Sequence, residues 1–534
     1  MKLTSMNLGS PLGALSVTAL LVAGCGGGAD TEAAREAAQA TGEVVVGASS
    51  AAKADCGPGS VPETGLQGQV PAAVRAAGFQ GYRCNLELVG QSRNDGGSWQ
   101  AAYFQNGTKK KCAYYDSAST PVIPGTTTPR QFPGVAVIDA STPSNPVATT
   151  FLTTTPMLDP WESLKVNERR AMLGAVNARN GNGGPEIDLY DVSMDCANPQ
   201  LLVTASVGLG PDEFQAAVRG HEGNFAPDGL TYYAANLGAG YIYPIDISNP
   251  SKPKLLTQYF TSPGRIHGMN ISEDGNRAYL ALLGQGGANP SRLPGSPPNN
   301  GLQIIDTSEV QARVPNPQIR VVGQVMWDDG GGAQHAIDIR IKGKPYVVHV
   351  DEAGSGGNNS IGWNAACAAN LPAWQFARLI DVSDETKPFV ASKLMLEAYD
   401  PKNCAQVLPD LAGLGSFTYG SHYCSVDNRK NATTLACGYF NSGIRVFDIR
   451  DPLKPKEIAY YNPAGTTTMS PGSNHNRNGG WVAGGPDWCT AQVRLDAATG
   501  TLQTMCQDNG FLSLKFTNGV WPFAGTSTPP GMGN

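Results

Sequence analysis

Histidine is scarce in this chain: six occur in 534 residues, and four of those six fall in one register of an internal repeat. Charge is thin as well. Only 15% of residues are Asp, Glu, Lys or Arg, and a net charge of −6 leaves no basic excess of the kind a nucleic-acid partner requires. No uninterrupted apolar run reaches the roughly 18 residues of a membrane-spanning helix, so any membrane attachment must be of another kind. Cys-x-x-Cys pairs, a Gly-x-Ser-x-Gly elbow, a His-Glu-x-x-His pair and a glycine loop followed by lysine are all missing. Those absences remove the common zinc modules, the α/β-hydrolase nucleophile, the helical zinc proteases and the phosphate loop. What is abundant is turn chemistry: 65 glycines and 39 prolines suit a large all-β fold.

The N-terminus reads as an address. Lys2 supplies a positive charge, residues 11 to 23 are largely apolar, and Val22-Ala-Gly-Cys25 resembles the lipobox of bacterial lipoproteins. On that resemblance residues 1–24 are a signal peptide, Cys25 is lipidated, and residues 25–79 begin as an Ala/Gly-rich flexible tether. The absence of Asp at position 26 points to the outer membrane of a bacterial cell envelope, with the lipid as the only membrane contact.

Cysteine usage agrees with export. Eleven cysteines less Cys25 leave ten, an even number in a compartment that permits disulfides. Cys424 and Cys437 flank one turn symmetrically, and Cys489 and Cys506 flank another, so each pair is expected to staple a hairpin. Cys367 with Cys404 and Cys84 with Cys112 are the remaining suggestions.

Stacking the segments after the four histidines exposes the repeat. His221, His267, His335 and His422 each open a strand-like run that reaches a turn at the same distance. A second strand follows, then a third that ends in Asp: Asp139, Asp191, Asp246, Asp306, Asp381 and Asp448. Turn residues with prolines come next, as in Asn249-Pro-Ser-Lys-Pro253, and then a fourth strand. Four strands at a period of about 40 to 50 residues match a β-propeller blade. The Val-Ile-Asp-x-Ser ends with their following Asn/Asp-Pro-x-x-Pro resemble the LVIVD repeat of bacterial extracytoplasmic propellers, which implies that fold across residues 80–521 and no single activity.

Six Asp motifs leave a ring one blade short. The C-terminal segment supplies three further strands and then ends, so Cys84 to Gln91 is expected to return as the missing fourth. The expected fold is therefore a seven-bladed propeller of four-stranded blades closed by an N-terminal strand, followed by a disordered tail at 522–534. Eight blades or an open solenoid are the alternatives.

First strands of blades line the central channel, so the four histidines should meet near one mouth. In the first two blades the same offset falls on Trp99 and Trp161, and their neighbours Gln100 and Glu162 are placed to face the axis instead, because side chains alternate along a strand. Insertions at 284–300, 353–374, 397–420 and 462–486 should all cover that mouth, with His349, Asp351 and Glu352 entering it. Arg219 and Arg265, each two residues before a histidine, would hold an anionic ligand.

Two functions fit. One is an envelope-anchored binding propeller whose loop-covered hub takes a small ligand or another envelope protein. The other is a metal-dependent oxidoreductase in which His221, His267, His335 and His422 hold copper or zinc, imidazole being suited to both, with no other cofactor. The competing structural role for the histidines is separate hydrogen bonding to backbone carbonyls between blades. The address is directly testable. Cys25→Ser should move the protein from the membrane fraction to the soluble fraction, and unchanged membrane association would dismiss the lipid anchor.

Overall fold

The computed structural model describes residues 45–528 except residues 98, 107–109, 117–126, 179–182, 207–218, 413 and 467–484. The signal peptide, Cys25, residues 25–44, most of the insertion at 462–486 and residues 529–534 lie outside the described residues.

Seven antiparallel sheets follow one another around a ring. Their innermost strands are Ala101–Asn106, Lys165–Asn167, Glu222–Phe225, Arg265–Ile271, Gly331–Ile341, Ser421–Val426 and Arg494–Asp496. Second strands are buried along their whole length in several blades, as in Thr231–Asn236, Thr434–Tyr439 and Thr501–Cys506, because both of their faces meet a neighbouring blade. The core is accordingly a ring of inter-blade clusters. Val176, Leu189, Phe225 and Tyr232 join the second blade to the third, and Tyr103, Ala113, Met505 and Phe511 join the first to the seventh.

The Asp motif has a local cause. In all six copies the carboxylate accepts the backbone N–H two residues on: Ser141, Ser193, Ser248, Ser308, Ser383 and Arg450 donate at 2.7–3.0 Å. Such an Asx turn gives the chain a hydrogen bond as it leaves the ladder, so Asp marks where the third strand stops.

Closure follows the sequence expectation. Leu86–Ser92 pairs with Gly510–Phe516 as the fourth strand of the seventh blade, whose other three strands are C-terminal. Leu86 is buried there among Leu495, Leu514 and Phe516. A fifth strand on the sixth blade was not anticipated: Tyr82–Cys84 pairs with the outer strand Lys456–Asn462.

Two segments expected to be loose are instead packed. From residue 45 the tether runs along the outer edges of the fifth and sixth blades. Gly47 donates to Ala391, Lys393 donates to Ala48, and Ala52 bridges to Lys456. Glu63 pairs with the fully buried Arg445 of the sixth blade, which Glu457 also holds at 3.0 Å. Edge strands present unpaired N–H and C=O groups, and this strap covers them. In the C-terminal tail, Phe523 packs on the seventh-blade core and under the Arg450 guanidinium, 3.7 Å from its ring centroid.

Five disulfides are formed. Cys424–Cys437 and Cys489–Cys506 staple hairpins, and Cys367–Cys404 ties the two mouth insertions together. The suggested Cys84–Cys112 pair is replaced by Cys56–Cys84, which anchors the strap, and Cys112–Cys196, which ties the first blade to the second. Replacing Cys56 and Cys84 together by Ser should lower unfolding stability by about 2–4 kcal/mol, read from the urea midpoint; an unchanged midpoint would show that the strap contributes nothing to closure.

Candidate functional site

A local irregularity accompanies three of the four histidines. The inner strands of the fourth, fifth and sixth blades each shift register at or beside the histidine: between Ile266 and Met269, between Ala333 and His335, and between Ser421 and Cys424. A bulge re-aims the side chains around it and breaks strict alternation. Adjacent residues such as His422 and Tyr423 are therefore both buried in the hub. At the second blade, Glu162 donates its backbone N–H to the His221 carbonyl at 3.2 Å and bridges to Glu222, which sets Glu162 beside the third blade.

Three imidazoles converge on one carboxylate. The Nε2 atoms of His221, His267 and His422 lie 3.3, 3.5 and 3.2 Å from Glu162 oxygens. His221 Nε2 and His267 Nε2 are 3.1 Å apart. A second carboxylate, Glu352, stands 3.9 Å from His267 Nε2 and 3.6 Å from His422 Nε2 on the more solvent-exposed side. Of the other nitrogens of these rings, His422 Nδ1 donates to the Thr490 carbonyl at 3.0 Å, and His267 Nδ1 lies within ion-pair distance of Glu222 Oε2, 3.4 Å, without a hydrogen bond between them. His335 Nδ1 is 3.3 Å from the other Glu222 oxygen, and Lys165 Nζ is 3.6 Å from that same atom.

The electrostatics follow from burial against charge. Burial favours the neutral acid, yet the surrounding imidazoles hold Glu162 well below the usual carboxylate range. Glu222 is likewise buried, but Lys165 and the His267 and His335 rings bring it down to about 2. Burial disfavours a charged His267, and the carboxylates of Glu162, Glu222 and Glu352 overcome it, pushing this imidazole up to about 9. For His335 and Lys165 burial prevails and lowers both, and it raises Glu352. Three carboxylates facing one buried lysine make the hub a place that demands positive charge.

The donor set suits a transition metal. Ligand atoms of Glu162, His221 and His267 all lie within 4.8 Å of one another, His422 Nε2 faces the same carboxylate, and imidazole with carboxylate is the ligand chemistry of zinc, copper, iron and nickel. A second such grouping, Asp487 with Cys489 and Cys506, does not qualify, because those two sulfurs form a disulfide.

Aromatic side chains wall the hub. Trp99 stacks against Trp161, Phe417, Phe440 and Trp488 at centroid distances of 5.9–6.4 Å, and against His422 at 5.3 Å. Trp161 and Phe417 hold φ values of 49° and 57°. For bulky residues such left-handed backbone is strained and persists only when its surroundings enforce it. The mouth holds a pocket of about 520 Å³ lined by Arg265, Glu352, Gln285, Asn289, Asn358 and backbone of several glycines. Its walls come from the insertions at 284–300 and 353–374, while Phe417 from the 397–420 insertion donates its backbone N–H to Asn358.

Several expectations change in detail. His335 does not join the other three imidazoles; it serves Glu222 on its own bulged strand. Glu162, expected to face the axis and bind ligand, is the central carboxylate. Gln100 is buried and donates to the Gln492 side chain at 2.7 Å. Arg265 lines the pocket, whereas Arg219 is exposed and is not among the lining residues. His349 donates to the Gly301 carbonyl and Asp351 accepts from Arg378 and Trp327, so both are committed to structure. Glu222 and Lys165 were missed altogether.

A seven-bladed propeller with a buried histidine–carboxylate hub is the class that fold and site define. The LVIVD repeat pattern matches residues 238–261, the third and fourth strands of the third blade. No curated protein matches the chain. Among solved structures, a functionally unknown protein from Desulfotomaculum acetoxidans DSM 771 aligns at 13% identity and a TM-score of 0.40, covering 68% of this chain and 84% of that one. A "putative 6-phosphogluconolactonase" from Bacteroides uniformis ATCC 8492 aligns at 13% identity and 0.45, covering 77% and 93%.

Trp99 is the keystone of the aromatic wall. Trp99→Ala should cost about 3–5 kcal/mol of stability through the cavity it leaves, measured by denaturant unfolding; a loss below about 1 kcal/mol would mean the wall repacks without it.

Proposed function

We propose that this protein is a cell-envelope propeller whose hub binds one copper or zinc ion and presents it to a small ligand entering through the loop-covered mouth. The observation that carries this reading is the convergence of His221, His267 and His422 Nε2 on the Glu162 carboxylate, with orienting partners on Nδ1 of two of the rings. Those four residues would hold the ion, and Glu352 would stand at its open, pocket-facing side. Bound zinc supplies Lewis acidity and bound copper supplies one-electron chemistry.

The chain's own residues do the rest. The aromatic wall around Trp99 keeps the imidazoles dry, which strengthens every charge interaction in the hub. Arg265 gives the mouth one cation for an anionic group on the ligand. The five disulfides fit an oxidising compartment, and among the described residues no helix is long and apolar enough to cross a membrane. Both accord with the lipid anchor and outer-membrane address inferred from Cys25.

A metal-free scaffold that binds a ligand or an envelope protein is the rival reading, and elemental analysis separates the two. Protein purified from cell envelopes without chelators should carry about one equivalent of copper or zinc per chain. The double variant His221→Ala, His267→Ala should carry none while keeping its β-sheet circular dichroism. Wild-type protein that holds no metal, and takes none when either ion is offered, would establish the plain scaffold.

A further inference from the structure

Glu222 belongs to none of the groups that would touch the metal or the ligand, yet side chains from three other blades are arranged around it. Its carboxylate lies between imidazoles from two neighbouring blades. Oε2 is 3.4 Å from His267 Nδ1 on the fourth blade, and Oε1 is 3.3 Å from His335 Nδ1 on the fifth. Glu222 itself sits on the third blade and is fully buried. Lys165, from the second blade, places its ammonium 3.6 Å from Oε1.

The position of this carboxylate is built into the backbone. A Cβ on Gly268 would fall 2.0 Å from Glu222 Oε2 and 2.4 Å from the Gln334 carbonyl. Residue 268 has an ordinary φ, so what it needs is space. Glycine directly after His267 leaves a slot into which the Glu222 carboxylate fits, against the ring it serves.

We infer that Glu222 is a positioning residue that fixes the tautomers of two histidines at once. The inference rests on the metal-binding reading of the hub. A carboxylate can only accept, so an Nδ1 facing it keeps its proton; in a metal-loaded hub, where the ion would replace the proton that Glu162 and Glu352 otherwise favour on His267 Nε2, that nitrogen would be left with its lone pair. His267 Nε2 is the nitrogen that faces Glu162, His221 and Glu352, where the ion would sit. His335 Nε2 is buried without a hydrogen-bond partner among the described residues, its ring 5.0 Å from that of Tyr423, over which the Lys165 ammonium also lies at 5.1 Å. His335, for which no contact with Glu162 is seen, is thereby explained: it is the second imidazole steadied by the same carboxylate. Carboxylates behind metal-ligating histidines have this orienting role generally.

Glu222→Gln keeps the shape and removes the effect. An amide accepts through one atom only and donates through the other, so one of the two imidazoles is forced to the opposite tautomer. The experiment uses the full chain, reconstituted with cobalt(II) as a spectroscopic probe and with zinc for affinity by chelator competition. Glu222→Gln should weaken zinc binding by about 10–100-fold and shift the cobalt ligand-field bands. Gly268→Ala presses on the same carboxylate without altering its chemistry, and should shift the bands in the same direction. A residue that only stabilised the fold would change the melting temperature and leave both metal readouts alone. Wild-type affinity and an unchanged cobalt spectrum in a folded Glu222→Gln protein would overturn the inference. If that variant does not fold, the unchanged spectrum of Gly268→Ala would do so. Wild-type protein that binds neither cobalt nor zinc would fail at the earlier step, and would remove the metal reading itself.

Discussion

The hub is governed by carboxylates buried where water cannot solvate them. Glu162 and Glu222 are almost fully buried and Glu352 is only 14% exposed, with Lys165, itself lowered by burial, as the lysine among them. Two opposite charges 4 Å apart attract by about 4 kcal/mol at an effective dielectric near 20, while an uncompensated buried charge costs several kcal/mol. The folded state therefore has to supply positive charge here. A proton on His267 is one solution, and the surrounding carboxylates favour it. A divalent ion at similar distances carries twice the charge of that proton and brings the three imidazoles in as neutral ligands. The same field that raises His267 would favour a metal ion in its place.

Such an arrangement needs a rigid frame, because every participant comes from a different part of the chain. Glu162 precedes the inner strand of the second blade, His221 that of the third, His267 lies in the fourth, Glu352 in the fifth and His422 in the sixth. None of these would stay in place if the ring could open. The returning strand Leu86–Ser92 removes the open edge, the strap from residue 45 covers two outer strands, and the disulfide Cys56–Cys84 ties strap to ring. The buried Glu63–Arg445–Glu457 group works in the same direction: removing one member leaves a charge stranded in the core.

The fold was legible because its signal repeats. Six Asp residues with the same turn chemistry, and four histidines at one offset, each report the same blade. The two hairpin disulfides were legible too, since each pair sits symmetrically about a turn. What escaped was whatever depends on contacts distant in sequence or on broken alternation. Cys112–Cys196 joins residues 84 apart, and the partner of Cys84 lies in a segment whose Ala/Gly composition suggests a tether. Glu222 follows His221 directly, so strict alternation would turn it away from the channel. The bulges at 266–269, 333–335 and 421–424 cannot be read from residue type, and they decide which imidazoles meet.

The division of labour among the four histidines follows from that irregularity. All four open inner strands at the same distance from the next turn, and a perfect repeat would give them equivalent positions. Three aim Nε2 at Glu162, and the fourth aims Nδ1 at Glu222. The first and seventh blades, which bring no histidine among the described residues, contribute Trp99 and Trp488 to the wall and the Thr490 carbonyl that orients His422. Each blade thus supplies a different part to one centre. The repeat fixes where side chains enter the channel, and the local departures from it, rather than the repeat itself, determine what the channel can bind.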